Sequence, residues 1–154
     1  ETFKGMNAGK SLWELMRSIK MPDDIAIPQG HGKTPWIVRA IWEEHLGWFR
    51  YESTTELYDV PAQAVFPDLI RLAGGIEPVL ACARDHLNAA QPSEAIHLAE
   101  SVMAISADNK DALAIILGAT EAILEREGRQ NFSEVRWLES EIIRLRGLLE
   151  GAVK

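Results

Sequence analysis

The sequence predicts an all-α fold of seven or eight helices. Three observations predict it. Apolar residues recur at three- and four-residue steps along most of the chain, as a helix with one buried face requires. Helix start and stop signals (Ser, Thr and Pro before the apolar runs, Gly after them) punctuate those runs at helical lengths. No stretch of any length alternates in the manner of a strand.

Taken in order, residues 1–8 read as the tail of a helix, and Asn7 and Gly9 supply a turn. Ser11-Leu-Trp-Glu14 has the spacing of a capping box, in which Ser11 accepts from the backbone near Glu14 and Glu14 reaches back. Leu12, Leu15, Met16 and Ile19 follow at helical spacing, and Met21-Pro22-Asp23-Asp24 stops the helix. A loop from Ile25 to Lys33 holds Pro28 and two glycines around His31. Thr34-Pro35 is then read as an N-cap followed by proline at the first helical position, where its missing N–H costs nothing. Trp36, Ile37, Ala40, Ile41, His45 and Leu46 are read as the face of that helix, which Gly47 ends. Residues 48–60 are irregular and aromatic. Pro61 opens a helix to Ala73, with a break or fresh first turn at Pro67, and Gly74-Gly75 is a strong stop.

Three consecutive helices follow, from about Glu77 to Ala90, Pro92 to Ser106 and Asn109 to Glu127. Their faces are small and aliphatic: Val79, Leu80 and Ala83; Ala95, Leu98, Ala99 and Val102; Leu113, Ile116, Leu117, Thr120 and Ile123. Asp108 or Asn109 caps the third. Ala95, Ala99, Val102 and Ala107 occupy the spacings of the second-helix small residues and closing proline of a tetratricopeptide unit, so the second half reads as a helical array with a degenerate tetratricopeptide-like repeat. Ser133 is read as the cap of a last helix, whose Val135, Leu138, Ile142, Leu145 and Leu149 form a coiled-coil-like seam, with Trp137 and Leu148 as a second stripe.

Length and composition bound the function. A chain of 154 residues is about one domain. Sixteen basic against 23 acidic residues give a net charge of −7, which disfavours nucleic acid and anionic membrane as partners. No apolar run reaches the roughly 18 residues of a membrane span. The single cysteine, Cys82, excludes an internal disulfide and, among apolar neighbours, reads as a buried structural thiol. The chain opens on Glu1-Thr-Phe-Lys4 without an initiator Met, as a processed or excised piece would.

No catalytic constellation emerges. His31, His45, His86 and His97 lack a second ligand at spacings such as H-x-H or H-x-x-x-H, so no metal site is read. His86 and His97 read as surface or hydrogen-bonded residues, and His45 as a cation near a helix C-terminus. His31, between glycines in a bendable loop, is the histidine kept as a candidate site residue. Gly30-His31-Gly32-Lys33-Thr34 lacks the G-x-x-x-x-G-K-[ST] spacing of a nucleotide loop, although the helix start with Lys33 could hold a sulfate-sized anion. Glu141 and Arg144 are spaced as a solvated i,i+3 pair. Trp36, Trp42, Trp48, Phe49 and Tyr51 form the densest set of large side chains and are read as core, as a subunit or interdomain contact, or as the lining of a ligand pocket.

Asn7-Ala-Gly-Lys-Ser11, Met21-Pro22, His31-Gly32, Leu46-Gly-Trp-Phe49 and Leu72-Ala-Gly-Gly75, followed by the degenerate repeat, carry a family resemblance in their order and gaps. Together they resemble the central helical dimerisation domain of the alkyl sulfatases, a branch of the metallo-β-lactamase superfamily, to about Leu145. In that family an N-terminal domain carries two zinc ions, the helical domain pairs two subunits by exchanging arms, and a lipid-carrier-like domain often follows. The superfamily's H-x-H-x-D-H run is absent from these residues.

The resemblance implies one helical domain over residues 1–154, with N-terminal helices and an aromatic arm in 1–60 and the array in 61–154. It implies a homodimer that is not catalytic on its own, beside a metallo-β-lactamase domain holding the zinc. His31, Lys33 and Trp36 are expected to line substrate access, and Trp36, Trp42, Trp48, Phe49 and Tyr51 to make the dimer or interdomain contact. His31-Gly32-Lys33 and Arg50-Tyr-Glu-Ser53 depart from the family's usual Tyr-Gly-Thr and Asp-Gly-Asn-Pro. The alternative is a free-standing tetratricopeptide-like module that binds a peptide in its groove.

Overall fold

The structure, a computed structural model, describes residues 1–151. It is all-α: eight α-helices, joined by three short 3₁₀ turns, with no strand among the described residues. The chain divides into two compact units, one of residues 1–59 with 130–133 and one of residues 60–129 with 134 onward.

The first unit contains α1 (Thr2–Asn7), α2 (Leu12–Ser18) and α3 (Thr34–Leu46). The capping box of α2 is present in full: Ser11 Oγ accepts from the Glu14 N–H, and Glu14 accepts from the Ser11 N–H at 2.8 Å. Leu12, Leu15, Val38 and Trp42 form the buried core, ringed by Met6, Met16, Ile19 and Leu46. Burying each leucine is worth roughly 1.5–3 kcal/mol relative to leaving it in water. A side chain at Gly5 of α1 would collide with the Leu15 methyls, so the buried Leu15 would have to shift to admit one.

Two expectations for α3 are corrected. Its N-cap is Lys33, so Thr34 is the first helical residue and Pro35 the second. Its buried face is Thr34, Val38 and Trp42, a clean i,i+4 stripe, while Trp36, Ile37, Ala40 and His45 are exposed. The apolar surface of α3 is wider than one buried stripe. The core takes the side that carries the long Trp42 and leaves the Trp36–Ile37 edge outside.

The second unit contains α4 (Phe66–Leu72), α5 (Ile76–Asn88), α6 (Pro92–Met103), α7 (Lys110–Arg126) and α8 (Phe132–Glu150), whose first two residues are counted with the first unit. The expected fresh turn at Pro67 is real: a 3₁₀ turn over Ala62–Val65 precedes α4, and Pro67 lies in its first turn. Gly74 and Gly75 take φ of 92° and 117°, which a side chain would resist. Asn109 caps α7 by accepting from the Ala112 N–H at 2.9 Å. Ser133 lies inside the first turn of α8, which already begins at Phe132, so it is not the outer cap.

Helices α5, α6 and α7 pack on one another through Leu80, Ala83, Ala95, Ala99, Val102, Ala112, Ile115 and Ala119. Five of these eight are alanine, and short side chains let helix axes approach closely. A smaller core joins Leu124 of α7 to Leu138 and Ile142 of α8, which are seam residues; Trp137 is exposed. Cys82 is exposed too, contrary to the expected buried thiol, because the buried face of α5 runs through Leu80 and Ala83 on either side of it.

Ala99 is 0% exposed and surrounded by other helices. Ala99→Leu is expected to cost about 1–3 kcal/mol by overpacking, read as a lower urea midpoint at unchanged slope. A midpoint equal to the wild type would mean that the helices do not lie this close.

Candidate functional site

The candidate site residues lie on the loop before α3, on α3 itself and on the irregular segment after it. His31 is exposed, its ring edge-to-face with Phe132 at 5.6 Å between centroids. It lines a cleft of about 360 Å³ with Met21, Ile27, Pro28 and Ile37, so its surroundings are mainly apolar. The Lys33 ammonium stands 5.9 Å from the centre of the Trp36 ring, within the range of a cation–π contact. Lys33 and Trp36 are thus brought together, whereas the ring partner of His31 is Phe132.

The start of α3 is not an anion cradle. The Thr34 N–H donates to the side-chain oxygen of Gln29 at 2.7 Å, and Pro35 has no N–H. The N–H groups of Trp36 and Ile37 both donate to the Lys33 carbonyl, at 2.9 and 3.1 Å. Gln29 takes the place expected of a bound anion, and no donor of that first turn is left for one.

The other histidines take structural partners. His86 Nδ1 is 2.7 Å from Gln91 Oε1, His97 faces Glu100 at 3.8 Å, and His45 packs on Phe3 at 5.0 Å. Among the described residues no three His, Cys, Asp or Glu side chains gather as a metal site would require. These residues do not fit a zinc ion.

The aromatic residues separate into two groups. Trp42 is 6% exposed and belongs to the core of the first unit. Trp48, Phe49 and Tyr51 contact one another in series with tilted rings, centroids 5.6 and 4.4 Å apart, and Trp48 and Tyr51 remain 74% and 76% exposed. Tyr51 has φ of 62°, an uncommon conformation for a bulky residue.

What shapes this segment is Glu56, which the sequence reading passed over. Its carboxylate accepts the N–H groups of Arg50 at 2.5 Å, Glu52 at 3.1 Å and Ser53 at 2.9 Å. The signal was present as Ser53-Thr-Thr-Glu56, a second capping-box spacing, realised here on a 3₁₀ turn. The Arg50 N–H chiefly, helped by those of Ser53 and Glu52, holds the Glu56 carboxyl below the usual glutamate range.

Because that pKa is depressed in the folded chain, the contribution of Glu56 is fully present above its unfolded pKa. It is lost as pH falls through the folded value. Glu56→Gln at neutral pH, or acidification of the wild type, is expected to move the backbone amide signals of Arg50, Glu52 and Ser53 together in nitrogen–proton NMR spectra. Independent movement of the three would show that one carboxylate does not bind them.

The same residues can be set beside known proteins. The family model described as alkyl sulfatase dimerisation matches residues 12–135. Among solved structures, a double mutant of the sec-alkyl sulfatase PisA1 superposes with a TM-score of 0.78 at 21% identity. The superposition covers 97% of this chain and 24% of that one, so the chain spans about a quarter of the solved protein's length. No curated protein matches. The all-α fold is therefore shared with part of an alkyl sulfatase, and the family match covers most of the chain. The chain belongs to the alkyl sulfatase dimerisation family.

Proposed function

We propose that this chain pairs two hydrolase subunits through its aromatic arm and leaves the chemistry to a separate metallo-β-lactamase domain. The observation that carries this reading is a run without burial. From Glu43 to Asp59 no residue is buried, although the segment contains Trp48, Phe49, Tyr51, Leu57 and Tyr58. Large apolar side chains left in water over such a length mark an interaction surface.

Their chemistry suits a protein partner. Each aromatic side chain carries about 150–250 Å² of surface, so a few of them supply much of the roughly 800 Å² per partner that a stable interface buries. The Glu56 staple orders this segment before association, which lowers the entropic cost of docking. Trp48, Phe49, Tyr51 and the exposed edge of Trp36 make the contact in this reading. Trp42 supports α3 from inside the core.

The hydrolase is proposed to cleave sulfuric esters in its own domain, where a bound zinc ion would supply the Lewis-acid chemistry. The apolar cleft beside His31, with Lys33 and Trp36 nearby, supports the reading of these three as lining substrate access: apolar surface for a hydrocarbon tail, a cation for an anionic head. Domain organisation follows the same reading, with the N-terminal helices and aromatic arm in residues 1–60 and the array in 61–154.

Size exclusion with light scattering tests the pairing. The chain is expected to run as a dimer at micromolar concentration. Trp48→Ser with Tyr51→Ser is expected to weaken it by about 30-fold or more, as the loss of interface hot spots does, with the helical circular dichroism unchanged. A strictly monomeric wild type up to millimolar concentration would sink the proposal. The 154 residues alone are expected to hydrolyse no dodecyl sulfate, and turnover by them would refute the division of labour.

A further inference from the structure

From Met16 to Lys33 no residue is buried, so hydrophobic burial does not hold the loop that carries His31. The anchors that position it are polar, and they come from the far end of the sequence. Asn131 is 2% exposed, and its side-chain amide donates to the Gln29 carbonyl at 2.7 Å. Next to it the Phe132 N–H donates to the Gly30 carbonyl at 2.6 Å. Gln29, fixed by its carbonyl, accepts the Thr34 N–H on its side-chain oxygen at 2.7 Å. One chain of hydrogen bonds thus runs from Asn131 through Gln29 to the first turn of α3, with His31 between its ends and Phe132 against the imidazole.

We propose that Asn131 is a positioning residue for the His31–Trp36 surface. Its role in access rests on the reading given above for His31, Lys33 and Trp36; its role in holding the loop does not. A buried amide is suited to this task because it donates to a carbonyl without carrying charge, and a donor removed there leaves the carbonyl unpaired. The substitution Asn131→Asp keeps the shape and removes the donor, which separates the hydrogen bond from packing. Local sequence holds no sign of the arrangement, since the partners are 102 residues apart.

The test is NMR of this chain as wild type, Asn131→Asp, Asn131→Ala and Gln29→Ala. In both Asn131 variants amide exchange at Thr34 is expected to rise roughly tenfold, as loss of about one hydrogen bond implies. The His31 ring protons are expected to lose the ring-current shift from Phe132, while the methyl signals of Leu12 and Leu80 stay in place. Gln29→Ala, at an exposed residue, is expected to reproduce the Thr34 effect without moving the Phe132 amide. Unchanged Thr34 exchange and an unmoved His31 ring in Asn131→Ala overturn the proposal. Asn131→Ala introduces no buried charge, so it keeps the test decisive where the aspartate variant fails to fold.

With the chain joined to its hydrolase domain, Asn131→Ala is expected to raise KM severalfold at unchanged kcat. Lost Thr34 protection with KM unmoved would leave the positioning role standing and remove the access reading instead.

Discussion

Close approach of helices through alanine is the interaction on which the second unit depends. Ala83, Ala95, Ala99, Ala112 and Ala119 are all fully buried between α5, α6 and α7. Each contributes little area by itself. Their value lies in shortness, which brings backbones near enough for Leu80, Val102 and Ile115 to interlock at the density of a protein interior. A core built this way tolerates little growth at the alanine positions. It forms a stiff body without a disulfide, consistent with a chain whose one cysteine is exposed.

The first unit is built differently. Its core is four side chains, Leu12 and Leu15 of α2 with Val38 and Trp42 of α3. Beyond them the chain relies on side chains that bind backbone: Ser11 with Glu14 at α2, Gln29 at the start of α3, and Glu56 across residues 50–53. Such contacts set the shape of a segment without covering it. Hydrogen bonds from three amides to the Glu56 carboxylate shape residues 50–56 while Trp48 and Tyr51 stay exposed. The same logic holds the His31 loop in place through Asn131 and leaves its apolar side open.

Much of the fold was legible because helix signals are local. The capping box at Ser11–Glu14, the stop at Gly74-Gly75, the turn at Pro67 and the Asn109 cap each involve residues within four positions, and all are present. The misread cases share a cause. Assigning the face of α3 required knowing which of two apolar edges the core would take, and Cys82 looked buried because its sequence neighbours are apolar. Both depend on what packs against the helix. Thr34 is not the cap because the helix begins one residue earlier than expected, with Lys33 at the N-cap position and Gln29, five residues before Thr34, accepting the Thr34 N–H.

By itself the sequence determined the all-α class, the order of the helices and, through motifs spread from Asn7 to Gly75, the family. These follow from short-range steric and hydrogen-bonding rules that every segment obeys alone. Tertiary structure decided which aromatic residues go inside and which stay exposed: Trp42 went to the core, Trp48 and Tyr51 to the surface. It also decided that Asn131 grips the His31 loop across 102 residues. Such pairings arise only when distant segments are folded together, because a buried amide finds its acceptor in space and leaves no spacing in the sequence to read.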